Sequence, residues 1–157
     1  MSEPFREYHQ YSKVDIGNEM KTLVVNPHDE SSYSYLAVTV GVGSQSDPPE
    51  FLGFTHLIEH LLFTGSKNYD KEHYMNDLIN KHHGSYNGCT ESFTTNYYFK
   101  IENQGLETLI DVIADALINP NFDKENIKKE INNVNSEISF RVKYNKSLSD
   151  YKIIKLL

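Results

Sequence analysis

Residues 51–65 read FLGFTHLIEHLLFTG, and the fold turns on which period this stretch follows. Phe54 with Ile58, and Leu57 with Leu61, stand four positions apart, the spacing of one helix face, and Gly65 supplies a stop. The pattern predicts a helix over 51–64. What precedes it follows another rule: SYSYLAVTVGVGS (32–44) is an apolar, β-branched run of strand length, ended by the two prolines of SQSDPPE, and predicts a central strand. Further back, YSKVDIGNEMKTLVVN (11–26) predicts two short strands about a Gly17-Asn18 turn.

Working forward, residues 70–82 predict a second helix with Tyr74, Leu78 and Ile79 turned inward and Gly84 as terminator. SYNGCTESFTTNYYFKIE (85–102) predicts a strand pair, its second half alternating Thr95, Tyr97, Phe99 and Ile101 against Asn96, Tyr98 and Lys100. Leu106, Leu109, Ile110, Ile113 and Leu117 mark an amphipathic helix closed by Asn119-Pro120. Asp123 opens another, running through Ile127, Ile131, Val134 and Ile138. Strands and then helices, without regular βαβ alternation, predict an α+β fold in which an antiparallel or mixed sheet packs against helices. Leu148, Tyr151, Ile154 and Leu157 predict one more helix over 147–157, with no capping glycine or proline after it. A single domain is expected over 1–157, incomplete at its C-terminal end and forming the front portion of a longer protein.

Composition narrows the function classes. The chain has 157 residues, 11 Tyr and 8 Phe, enough length and aromatic content for a packed core. Its formal charge of −7, with no basic run, argues against nucleic acid or an anionic membrane as partner. Cys89 is the only cysteine, so no internal disulfide framework exists and a reducing compartment fits. The opening MSEPFREYHQ has no apolar core of a signal peptide, and no window approaches a membrane span, so a cytoplasmic location is expected. Asn145-Lys146-Ser147 matches a glycosylation acceptor but reads as a polar loop. Gly41 and Gly43 lack the third glycine of a dinucleotide fingerprint.

The chemistry sits in HLIEH (56–60). On a helix His56 and His60, at i and i+4, project from one face and present ring nitrogens to a common point. Glu59 lies at the border of that face, where a carboxylate holds a water as general base without being a ligand. By composition H-x-x-E-H arises by chance in only about 0.03 of such chains, and it is the inverted form of a zinc-peptidase signature. The competing reading is a helix with two partly buried histidines. Catalytic zinc takes three protein ligands and keeps one open position, so a third donor must come from elsewhere. Glu130 and Glu137, two turns apart on one face of the last helix, are the candidates; a solvated helix face is the plainer account of both. His82 and His83 point about 100° apart and read as a helix cap. Cys89 reads as a small strand residue, since no base is placed beside it, and NYYF as core and sheet.

The hairpin, SDPPE, HLIEHLLFTGSKNYDKEHYMNDLINKHHGSYNGCTESFTTNYYF and EINNVNSE together resemble the pitrilysin and insulysin (insulinase) family of zinc peptidases, the inverzincins, over residues 12–140. The resemblance implies the fold of the first domain of such a peptidase and a zinc-dependent metalloendopeptidase acting on peptides or small proteins. It implies Zn2+ held by His56, His60 and Glu137, with Glu59 as catalytic base. Glu130 would support a ligand histidine by a hydrogen bond. The stretch Ser85–Thr90 would be an edge strand that pairs with substrate, with Asn87, Gly88 and Cys89 offering backbone groups. Cys89 stands where the family more usually has an apolar side chain. Family members are clamshells of two homologous halves, the second supplying an arginine and a tyrosine near the oxyanion. The partners implied are therefore a peptide substrate and a second half, with self-association favoured by an uncovered apolar face. The alternative is a non-catalytic homologue that binds a peptide or a partner half.

Overall fold

The computed structural model describes residues 10–17, 19–26, 30–70 and 73–144, and the side chains of these up to residue 140. The helix expected over 147–157 and the Asn145 sequon lie outside the described residues. The chain falls into two compact units, one up to Ser32 and one from Tyr33.

The first unit holds strands β1 (Gln10–Asp15) and β2 (Lys21–Asn26), paired antiparallel with Asp15 opposite Lys21. The hairpin is the one expected, but its connection is wider than a two-residue Gly-Asn turn. The Asp15 carboxylate accepts the Gly17 N–H at 2.9 Å, Gly17 takes φ 83° and Glu19 φ 60°, and the Met20 N–H closes onto the Gly17 carbonyl. An aspartate that bonds the backbone two residues on makes its own turn first, which pushes strand pairing outward.

In the second unit, β3 (Tyr33–Val40), β4 (Ser85–Thr90) and β5 (Thr95–Glu102) form an antiparallel sheet in the order β3-β5-β4. The strand expected to be central, β3, is thus an edge among the described residues; β5, which pairs on both sides, takes the centre. The burial along β5 shows why. Tyr97, Phe99 and Ile101 are buried, and Asn96 on the other face is buried too, accepting a hydrogen bond from Thr39. Helices α1 (Phe54–Leu62), α2 (Tyr74–Lys81), α3 (Leu106–Ile118) and α4 (Lys124–Tyr144) complete an α+β fold.

The core lies on the face carrying Tyr97, Phe99 and Ile101. Met75, Leu78 and Ile79 of α2 and Leu109, Val112, Ile113 and Ala116 of α3 pack there, each buried Val, Leu, Ile or Met side chain contributing roughly 1.5–3 kcal/mol. A second cluster joins Leu57 and Leu61 of α1 to Val134 and Ile138 of α4, with Ile127 and Ile131 beside them. Every member sits at helical spacing, so the two stripes lock α1 and α4 in one relative rotation.

The helix ends follow identifiable chemistry. Asp123 accepts the N–H groups of Glu125 and Asn126, as expected of the residue that opens α4. α2 closes with the Gly84 N–H on the Ile79 carbonyl and the His83 N–H on the Asn80 carbonyl. In this arrangement His83, not Gly84, takes the left-handed conformation, at φ 48°. His82 and His83 are therefore a cap, as read from their position.

Candidate metal centre

α1 begins at Gly53 with φ 88°, and its entry is fixed from a distance. The Asp47 carboxylate accepts the Gly53 N–H at 2.6 Å and the Thr55 N–H at 2.8 Å, and also the Thr55 hydroxyl. A carboxylate at the positive end of the helix satisfies donors that have no partner within it and favours the aligned peptide dipoles. Asp47 is separated from α1 by two prolines, so spacing within the helix does not mark it; an aspartate ahead of a helix start is the signal that could find it.

With α1 fixed by Asp47 at its start and by Leu57 and Leu61 along its length, His56 and His60 face α4. Their Nε2 atoms lie 3.3 Å apart, and Glu137 Oε2 lies 3.5 Å from each. Donors at about 2.0–2.1 Å around a tetrahedral zinc are separated by roughly 3.3 Å, so these three atoms have the spacing of one face of such a shell. Two ring nitrogens turned toward each other at this distance repel through their lone pairs unless a proton or a cation lies between them. A borderline ion with nitrogen and oxygen ligands fits this donor set.

The opposite side of His60 settles which nitrogen faces the centre. His60 Nδ1 lies 3.1 Å from Glu130 Oε2, which also accepts a bond from Asn133 Nδ2 at 3.0 Å. A carboxylate only accepts, so the Nδ1 side of His60 serves as the donor in this contact, and Nε2 is the ring nitrogen that faces His56 and Glu137. Glu130 thus touches the back of His60, while Glu137, two turns further along α4, reaches the front.

Glu59 is buried, at 6% exposure. A carboxylate oxygen of Glu59 and a ring nitrogen of each histidine lie within 4.8 Å of one another. The Thr90 hydroxyl donates to Glu59 Oε2 at 2.5 Å. At Gly88 the strand comes so close that a Cβ would stand 2.5 Å from Glu59 Oε1. Burial pushes the neighbouring Tyr97 phenol up to about 12, and the Glu59 charge adds to the shift.

The six-residue strand expected at Ser85–Thr90 is β4, and it pairs only with β5 among the described residues, leaving its other edge available. Alternation divides its residues: Gly88 and Thr90 are partly buried on the side of Glu59, whereas Ser85, Asn87 and Cys89 are exposed. Beside it lies an open cavity of about 330 Å³ whose wall includes Glu59, Phe63, Tyr86, Gly88, Lys129 and Glu130. Cys89 is a free, exposed thiol. No described helix is long and apolar enough to cross a membrane.

The sequence profile of the family described as Insulinase (Peptidase family M16) matches residues 23–151. Bovine insulin-degrading enzyme (Bos taurus) is 37% identical over 128 residues, which make up 82% of this chain and 12% of that protein. Protease 3 of Escherichia coli K12 is 33% identical over 134 residues, 85% of this chain and 14% of its own. A crystal structure of pitrilysin superposes with a TM-score of 0.80 at 33% identity, covering 87% of this chain and 14% of that one. A protease from Helicobacter pylori shares the fold, with a TM-score of 0.72 at 22% identity over 85% of this chain and 31% of its own. The chain therefore spans about one-eighth of the length of the curated relatives named here. With the profile covering most of its residues, the chain belongs to the insulinase family of peptidases, Peptidase family M16.

Proposed function

We propose that residues 1–157 are the N-terminal, zinc-binding part of a metalloendopeptidase, with His56, His60 and Glu137 as ligands and Glu59 as the base. The observation that carries the reading is the set of three donor atoms 3.3 and 3.5 Å apart, the spacing a tetrahedral zinc requires. Glu130 holds His60 with its lone pair aimed at the centre and raises its basicity as a ligand. When bound, zinc lowers the pKa of a water towards ~7 and polarises the scissile carbonyl.

The chain's own groups do the rest. Glu59 accepts the proton of the attacking water and then passes it to the leaving amine nitrogen. The edge of β4 that pairs with no described strand takes an extended peptide by backbone pairing, with Asn87, Gly88 and Cys89 supplying N–H and C=O groups, so the scissile bond is drawn along the face where Glu59 stands. Glu59 is largely buried yet stands on the wall of the open cavity beside β4, where a water can reach its carboxylate.

Full activity belongs to a longer assembly. Because the chain corresponds to about one-eighth of its named relatives, the second wall of the substrate chamber and the oxyanion donors are assigned to the remainder or to a homologous half. Losing one oxyanion donor costs about a hundred- to a thousandfold in rate. A quenched peptide, assayed with these residues alone and with a separately supplied second half, tests the reading. Chelator-sensitive cleavage that needs the second half is the expected result. Cleavage that survives Glu59→Gln would overturn it.

A further inference from the structure

The Glu59 carboxylate stands close enough to His56 and His60 to be a ligand itself, yet the reading above needs it as a proton acceptor. Something must hold it off the metal. A carboxylate oxygen of Glu59 lies within 4.8 Å of a ring nitrogen of each histidine, so a dication held by those nitrogens would attract the carboxylate, and rotation about the side-chain bonds is a small movement. Two features of β4 oppose that movement. The Thr90 hydroxyl donates to Oε2 at 2.5 Å, a short charge-assisted bond. The bare Cα of Gly88 forms a slot against which the rest of the side chain lies, with a Cβ there only 2.8 Å from Glu59 Cγ.

We propose that Thr90 is a positioning residue: its hydroxyl fixes Glu59 against Gly88, in the orientation of a base, and prevents it from becoming a fourth metal ligand. The proposal rests on the assignment of Glu59 as the base. It also separates two functions within one strand. The outward edge of β4 pairs with substrate, while its inward side chains set the geometry of the base, so substrate binding and base orientation are joined through a single backbone. Asp47 and Glu130 have other partners: Asp47 holds the start of α1, and Glu130 meets the ring of His60.

The test compares wild type with Thr90→Val, Thr90→Ser and Thr90→Ala, the alanine variant removing the hydroxyl with no added branch should valine disturb the strand. Crystals are examined without metal and after zinc soaking. In Thr90→Val and Thr90→Ala the Glu59 carboxylate is expected to leave the Gly88 slot, and with zinc to close to about 2.0–2.2 Å from the ion. Thr90→Ser should restore the wild-type position. In the assembled full-length enzyme, kcat should fall about ten- to a hundredfold for valine, with KM unchanged and most of the loss recovered in serine. Glu59 remaining against Gly88 in the absence of the hydroxyl overturns the proposal. If no zinc enters at His56, His60 and Glu137, the metal reading fails, and the zinc-free crystals still decide the role of Thr90.

Discussion

Two buried carboxylates, Glu59 and Asp115, sit in the same unit and are partnered in opposite ways. Asp115, on α3, accepts the Ser66 hydroxyl at 2.6 Å, the Asn68 N–H at 2.9 Å, the Asn68 side chain at 2.8 Å and the Asn119 side chain at 2.9 Å. Those bonds, the Ser66 hydroxyl foremost, hold its carboxyl down to about 2. They join the loop after α1 to the end of α3, where the Lys67 N–H also meets the Asn119 carbonyl. Among the described residues Glu59 receives one hydrogen bond, from Thr90. A buried carboxylate with every lone pair engaged is a fixture. One with a single donor, close to two imidazoles, has lone pairs left for another partner, which is what the proposed base requires.

That contrast is open to direct attack. The largest effect is expected from Glu59→Gln in the assembled enzyme. The amide fills the same space but cannot accept the proton of water, so kcat should fall by at least about 10²–10⁴ while zinc is retained. Loss of zinc with the substitution would make Glu59 a ligand instead. Glu130→Ala should act more mildly, weakening zinc binding about ten- to a hundredfold as measured by competition with a chelator, because His60 keeps its place but loses its orientation.

Asp115→Asn is expected to leave zinc content untouched and to lower Tm by several degrees, since Ser66, Asn68 and Asn119 lose an ionised acceptor. Its signature is in the pH dependence. The folded-state carboxyl titrates near 2, below its ordinary value, so its contribution is fully present above about pH 4 and is lost as pH falls toward 2. Stability measured by thermal melts should therefore fall less steeply between pH 4 and 2 in the variant than in wild type. An identical slope would remove Asp115 from the account of that region.

Legibility in the sequence divides along a similar line. HLIEH on a helix, the shared face of Glu130 and Glu137 and the alternation from Thr95 to Ile101 are readable because each depends on spacing within one element, whereas the edge strand at Ser85–Thr90 is what the family resemblance implies. The α+β class followed from the order of such elements. Less accessible were features that depend on a bond between distant elements. Asp47 reaches over two prolines to the start of α1, Ser66 meets Asp115 across 49 positions, and Thr90 finds Glu59 across 31. The same limit explains β3. Its composition suited a central strand, but strand order is decided by which neighbour pairs on each side, and β5 lies between β3 and β4. The residue-by-residue resemblance to the family singled out Glu137 from Glu130, which periodicity alone treats alike; the structure puts one at the front of His60 and the other behind it.

The central claim is that His56, His60 and Glu137 hold one zinc while Glu59 stands beside it. Metal content of the purified chain, measured for wild type, His56→Ala, His60→Ala, Glu137→Ala and Glu59→Gln after identical dialysis, tests this most directly. The prediction is one zinc per chain in wild type and in Glu59→Gln, and less than stoichiometric zinc in the other three. Stoichiometric zinc in Glu137→Ala together with its loss in Glu59→Gln would contradict the account, exchanging the ligand and the base.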